Sequence, residues 1–237
     1  MNIIHLCKEV WHRRTGDAYL NYLRKKGIKV GRGTILHKPF SVSIDETRPE
    51  LLTIGENVLL HKGLTILTHD YASRVFVNLW GEFIPSHGKV SIGNNVWFGQ
   101  NCSVLKGTTI GDNCIIGYGS TVIKDIPANS VAVGTPAKVI CTLEEYFHKR
   151  KKEYINEISE YAILKERVLG RDLVAEDLFD DYTPFVDATN MDNFKLPYSV
   201  VFTTKDTMQK FKINHKAEFS GFEEFMEYVH SKFGKAK

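Results

Sequence analysis

Residues 90–122, VSIGNNVWFGQNCSVLKGTTIGDNCIIGYGSTV, place an aliphatic or aromatic residue at every sixth position: Ile92, Phe98, Val104, Ile110, Ile116 and Val122. Glycine follows four of them directly, at Gly93, Gly99, Gly111 and Gly117. Small or β-branched residues stand four positions after each: Val96, Cys102, Thr108, Cys114 and Ser120. A fixed period overrides any window-by-window reading, and this one describes a chain wound into stacked short strands. Three steps make a triangular coil of about 18 residues, so residues one coil apart lie above one another. The periodic residues fill the interior, and the glycines permit corners that a side chain would crowd.

The same beat runs earlier, at Ile54, Leu60 and Ile66, and more faintly at Val30, Leu36 and Val42. Two interruptions break its phase, an excess of about six residues around 44–49 and a larger insertion at 71–89. A prism of stacked strands offers few polar groups of its own, so chemistry is expected on loops or between subunits. His69 stands at the root of the large insertion, within TILTHDY at 65–71. Histidine is the side chain suited to take a proton near neutral pH. Asp70 is the adjacent carboxylate, but successive side chains of an extended segment point apart, so the group that orients His69 stays open. His61 and His87 are expected to be surface or packing residues.

The segments LTHDY at 67–71, NLWGE at 78–82 and VSIGNNVWFG at 90–99, with IGYGSTVIKDIP at 116–127 and VGTPAKVI at 133–140, resemble the hexapeptide-repeat transferases. They are most similar to the galactoside, maltose and xenobiotic acetyltransferase branch, especially members that acetylate sugars of surface polysaccharides. The resemblance covers about residues 30–140. It implies a mainly β fold, a left-handed parallel β-helix with helical N- and C-terminal extensions; the period alone leaves handedness open, and right-handed crossovers are the general rule. It also implies a homotrimer that transfers acetyl from acetyl-CoA to a sugar hydroxyl, with His69 as general base. The cofactor would run along Gly99, Gln100, Gly117 and Tyr118, where the family carries a smaller residue than Tyr118. Lys124 and Lys138 would lie near its phosphates, with Lys106 stacked below Lys124, and Asp70, Trp80 and Trp97 would stand on the acyl and acceptor side. No metal is implied. N-acetylation of an amino sugar or nucleotide sugar would use the same base and donor, and a non-enzymatic prism module would need the His69 loop to be idle.

The expected organisation is an N-terminal helical segment at 1–29, the prism at 30–140 and a C-terminal extension at 141–237. Residues 15–26 read as a helix closed by Gly27, and Thr142 with Glu145 as a capping box opening a helix to about Leu169, closed by Gly170. Its basic run at 148–152 reads as a solvated face. Residues 172–193, with seven acidic and no basic side chains, read as an irregular connector, 197–203 as a strand, and Ser220 with Glu223 as the cap of a last helix. No function is legible in 171–237. A formal charge of +3 is too small to argue for nucleic acid or a membrane surface. Four unclustered cysteines, no apolar leader in the first ten residues and no span of membrane length point to a soluble cytoplasmic protein.

Overall fold

The inward-pointing residues close three stacks of short parallel strands into a prism. The computed structural model describes residues 10–195 and 204–235. The chain divides into two compact units, Met1–Phe147 and His148–Lys237. In the first unit, one face stacks Lys29–Val30, Leu52–Ile54, Val90–Ile92 and Thr109–Ile110. The second stacks Ile35–Leu36, Leu59–Leu60, Val96–Phe98, Cys114–Ile116 and Ser130–Val133, with Lys138–Thr142 added antiparallel at the top. The third stacks Ser43–Ile44, Thr65–Ile66, Ser103–Val104 and Thr121–Val122.

The register follows the period. Val96 lies opposite Cys114 and Phe98 opposite Ile116, the 18-residue offset that also joins Asn95 to Asn113. Ile92, Phe98, Val104, Ile110, Ile116 and Val122 are all buried in one core. At a Gly99 corner an added Cβ would stand 2.5 Å from the Tyr118 backbone nitrogen, so only glycine fits. The corners also need left-handed backbone, and Asn95, Asn113 and Asn129 supply it at φ of 54, 57 and 58°. Asparagine tolerates that conformation better than most residues. Their amides form a ladder, Asn95 Nδ2 donating to Asn113 Oδ1 at 2.9 Å and Asn113 Nδ2 to Asn129 Oδ1 at 3.0 Å.

The first coil corrects the reading of the early beat. Ile44, rather than Val42, sits opposite Ile66 on the third face, although both Val42 and Ile44 are buried. The excess residues are split between two 3-10 turns, Pro39–Ser41 and Pro49–Leu51, because each proline starts a tight turn that the strand stack cannot absorb. The segment between them, beginning at Asp45, leaves the repeat and is free to carry polar groups.

Helix α1, Gly16–Lys26, is capped as its sequence suggests: Thr15 accepts from the Ala18 N–H, and Gly27 takes φ 103°. It buries Tyr19, Leu20 and Leu23 in the prism core, so this N-terminal helix belongs to the same unit as the strands. Helix α2, Ser73–Trp80, lies within the large insertion. Helix α3, Leu143–Leu169, opens on the Thr142–Glu145 box and stops at Gly170, φ 64°. No helix among the described residues is long and apolar enough to cross a membrane.

The second unit packs α3, α4 (Lys205–Asn214) and α5 (Phe222–Phe233) with the acidic stretch. That stretch is irregular but no loose connector: Leu173, Leu178, Tyr182, Phe185, Val186 and Met191 are buried with Phe225 and Val229 of α5. The apolar residues there follow no period, which hid their role. The last helix is tied by Glu224, not Glu223, whose carboxylate accepts from the Ser220 N–H at 2.7 Å. The strand expected at 197–203 lies outside the described residues.

Candidate active site

The large insertion leaves the prism as a two-stranded antiparallel ribbon, His69–Asp70 paired with Ser86–His87. His69 is opposite His87 in that ribbon, at the corner that follows the third face. The ribbon is pinned to the next coil, because Lys106 Nζ donates to Asp70 Oδ2 and to Ser86 Oγ. Asp70 also accepts from the Ala72 N–H at 2.9 Å. The Lys106 ammonium, aided by that N–H, holds the Asp70 carboxyl down at about 2. Asp70 therefore anchors the insertion, and it makes no bond to its neighbour His69.

The partner of His69 comes from the interrupted first coil. Asp45 Oδ2 accepts from His69 Nδ1, with side chains only 3% and 12% exposed. The strand pairing of Ile44 with Ile66 brings them together, since it places Asp45 beside the end of the third-face strand. The same carboxylate accepts from the Thr47 N–H at 3.0 Å, Thr47 Oγ1 at 2.6 Å, the Thr68 N–H at 3.2 Å and Thr68 Oγ1. Burial alone would raise the Asp45 carboxyl, but the bonds from Thr47, Thr68 and His69 outweigh it and hold the group well below the usual carboxylate range. An ionised carboxylate only accepts, so the proton between the two lies on Nδ1 and the lone pair of His69 is on Nε2. Nε2 has no hydrogen bond among the described residues. The ring of exposed Tyr71 stands edge-on to the imidazole, 5.0 Å between centroids.

The residues expected along the cofactor fall on two edges rather than one. Gly99, Gln100, Gly117 and Tyr118 stack at the corner between the second and third faces, where the Gly119 N–H donates to the Gln100 carbonyl at 2.9 Å. Tyr118 is 71% exposed and its hydroxyl accepts from Asn101 Nδ2. Lys106 and Lys124 follow the third face, with Ser103 and Thr121 paired between the two edges. Since a coil step turns through a whole face, stacking by 18 keeps each column separate. Lys138 sits at the top, directly after Ala137, whose N–H donates to the Thr121 carbonyl at 2.8 Å. The side chains of Lys124 and Lys138 are exposed and make no hydrogen bond or ion pair among the described residues.

Trp97 and Trp80 are not gathered around His69 by any described contact. Trp97 lies on the outer side of the second face, edge-on to His61 at 5.7 Å, and His61 in turn stacks on His37 at 5.1 Å. Burial, then the neighbouring His37, lowers the His61 imidazole below its ordinary value. Trp80 ends α2, 69% exposed, its ring 5.9 Å from that of Phe76. Among the described residues there is no group of three or more His, Cys, Asp or Glu side chains that could hold a metal ion.

Residues 89–124 match the model for the bacterial transferase hexapeptide, six repeats. The galactoside O-acetyltransferase of Escherichia coli (strain K12) is 36% identical over 137 residues, 58% of this chain and 62% of its own length. A Bacillus subtilis (strain 168) protein, named provisionally as an acetyltransferase, is 33% identical over 134 residues, 56% of this chain and 70% of its own. The chain belongs to the hexapeptide-repeat transferase family. The first of these relatives is thus matched over less than two thirds of its length. Among solved structures, a hexapeptide-repeat acetyltransferase of Vibrio cholerae O1 biovar eltor, complexed with acetyl coenzyme A, has a TM-score of 0.43 and 26% identity. That similarity covers 49% of this chain and 60% of the other.

Within this hexapeptide-repeat chain, His69 was legible from its place at the insertion, whereas Asp45 was not. Its signal was the break in phase itself. An interruption that replaces core residues with Asp45, Glu46, Thr47 and Arg48 is a place where polar side chains can meet the next coil.

Proposed function

We propose that the chain is an acetyl-CoA-dependent O-acetyltransferase acting on a hydroxyl of a sugar or glycan precursor, built on a left-handed prism. The observation that carries this reading is the Asp45–His69 pair, which leaves Nε2 as a lone pair at the foot of the insertion. The acyl donor is a substrate that brings an activated thioester. His69 Nε2 takes the acceptor's hydroxyl proton as that oxygen bonds to the thioester carbon. The carbon–sulfur bond breaks, and the same proton passes to the departing sulfur. Asp45 keeps Nδ1 protonated throughout and stabilises the imidazolium that forms in between. Two relatives bearing acetyltransferase names support the reaction class. The test is release of free CoA from acetyl-CoA against a panel of sugars and nucleotide sugars; no acceptor-dependent release from a folded protein would sink the reading.

The donor is best accommodated across the third face, between the Gln100–Tyr118 edge and the edge bearing Lys124. The outward Ser103 and Thr121 there are small enough for a pantetheine arm to lie against the strands. Lys124 and Lys138 would then serve as point charges for its phosphates. Replacing both is expected to raise the KM for acetyl-CoA roughly tenfold or more while sparing acetyl-pantetheine, which lacks the nucleotide phosphates. Equal effects on both donors would remove these lysines from the site.

The active form is a homotrimer, as two surfaces suggest. The outer side of the second face carries Ile35, Leu59, Trp97 and Ile115, whereas the first carries Lys29, Thr53, Ser91 and Thr109 and the third Ser43, Thr65, Ser103 and Thr121. In the insertion, Val75, Leu79, Trp80, Phe83 and Ile84 are exposed together. Apolar patches of this kind mark contact surfaces, and a cyclic arrangement satisfies all copies equally. Sedimentation equilibrium near micromolar concentration is expected to give a trimer; a single species at the monomer mass of 27.0 kDa would end that part of the reading.

A further inference from the structure

Arg48 is a charged group beside His69 whose bonding capacity is almost unspent. It sits in the same interrupted coil that supplies Asp45, one residue after Thr47. Its Nη1 donates to Thr47 Oγ1 at 3.3 Å, and Thr47 Oγ1 lies 3.5 Å from His69 Nδ1. The guanidinium therefore stands within two hydrogen-bond lengths of the imidazole. A guanidinium carries five N–H donors, and this bond to Thr47 is the one that the Arg48 guanidinium makes among the described residues. It is half-buried, and it forms no ion pair there with either flanking carboxylate. Glu46 is engaged elsewhere, by Tyr19 Oη at 2.8 Å, Arg13 at 3.5 Å and Lys26 at 3.9 Å. Glu50 is exposed.

We infer that Arg48 selects an acceptor bearing an anionic group, a carboxylate or a phosphate, next to the hydroxyl that is acetylated. The inference rests on the proposed transfer at His69 and narrows its acceptor. Guanidinium matches both oxyanions through paired N–H donors. The anion cannot belong to the acyl donor, because the end of acetyl-CoA that meets His69 is a neutral thioester and its phosphates lie a full pantetheine arm away. Charge balance during the reaction points the same way. When His69 accepts the hydroxyl proton, a second cation forms within two hydrogen-bond lengths of Arg48, bridged by Thr47 on the Nδ1 side, against the single charge of Asp45. An anion on Arg48 completes the neutralisation, so an acidic acceptor gains in the rate of transfer as well as in binding.

The test uses the full-length protein and methyl glycosides of galactose and glucose. Each is compared with its 6-carboxylate and its 6-phosphate, which separate the two sources of the anion. Binding is measured calorimetrically, without donor, for the wild type, Arg48→Gln and Arg48→Lys, with melting temperature as the folding control. At least one anionic form is expected to bind about tenfold or more tightly than its neutral parent. That ratio should fall to near one in Arg48→Gln and recover in part in Arg48→Lys. Equal binding of neutral and anionic forms by the wild type, or a preference that survives Arg48→Gln in a folded protein, overturns the inference. CoA release with the same glycosides then reports on the transfer reading separately. An Arg48-dependent preference without CoA release would leave the anion site standing and sink the proposed reaction.

Discussion

His69→Ala is expected to lower acetyl transfer by roughly 10²- to 10⁴-fold, the usual worth of a positioned general base. The fold should survive the change. His69 lies at the prism corner and outside its apolar core, and Asp45 would keep four donors from Thr47 and Thr68. The loss of one hydrogen bond to a charged group costs about 1.5–3 kcal/mol in stability. The measurements are kcat from CoA release and the melting temperature of the same preparation. Near-normal turnover in a folded variant would remove His69 from the proton transfer.

Asp45→Asn is expected to lower kcat by about 10²-fold or more, with the KM for acetyl-CoA little changed. Asp45 Oδ2 is the meeting point of three donors, the Thr68 N–H, Thr68 Oγ1 and His69 Nδ1. An amide –NH2 at that point faces donors with a donor, and relief comes if His69 moves its proton from Nδ1 to Nε2. That tautomer has no lone pair for the acceptor hydroxyl, so activity should not return as pH is raised. A residue that merely filled space would lower stability and leave kcat in place.

The same substitution should change acid stability in a defined direction. The folded Asp45 carboxyl lies below its unfolded value of about 3.9. Its ionised form therefore contributes stability in full above about pH 4, and that contribution is lost as pH falls further. The wild type should lose stability over that window more steeply than Asp45→Asn, as denaturant titrations at successive pH values would record. Equal slopes would mean that Asp45 is not held ionised by its donors.

The part of the site carried by regular structure was open to reading. The beat from Ile92 to Val122 specified the stack, and the helix boundaries at Thr15, Gly27, Thr142 and Gly170 followed from caps that act over three or four residues. Asp45 was hidden because it pairs with a residue 24 positions away across a coil whose phase is broken by two turns. Lys106 shows the limit of stacking: it lies below Lys124 as the period implies, but its ammonium is drawn sideways to Asp70 and Ser86. Stacking locates a backbone and leaves a four-carbon side chain free to find the nearest carboxylate.

By itself, then, the sequence determined the prism, its register over the unbroken coils and the prominence of His69. Each of these depends on a period or on local spacing, which one chain displays in full. Tertiary structure decided what orients the imidazole, which lysine is already occupied and which edges flank the third face. It also decided that the acidic stretch at 172–193 packs its apolar residues into one core with α3 and α5. Those outcomes depend on which side chains meet at irregular turns, where no periodicity remains to report it.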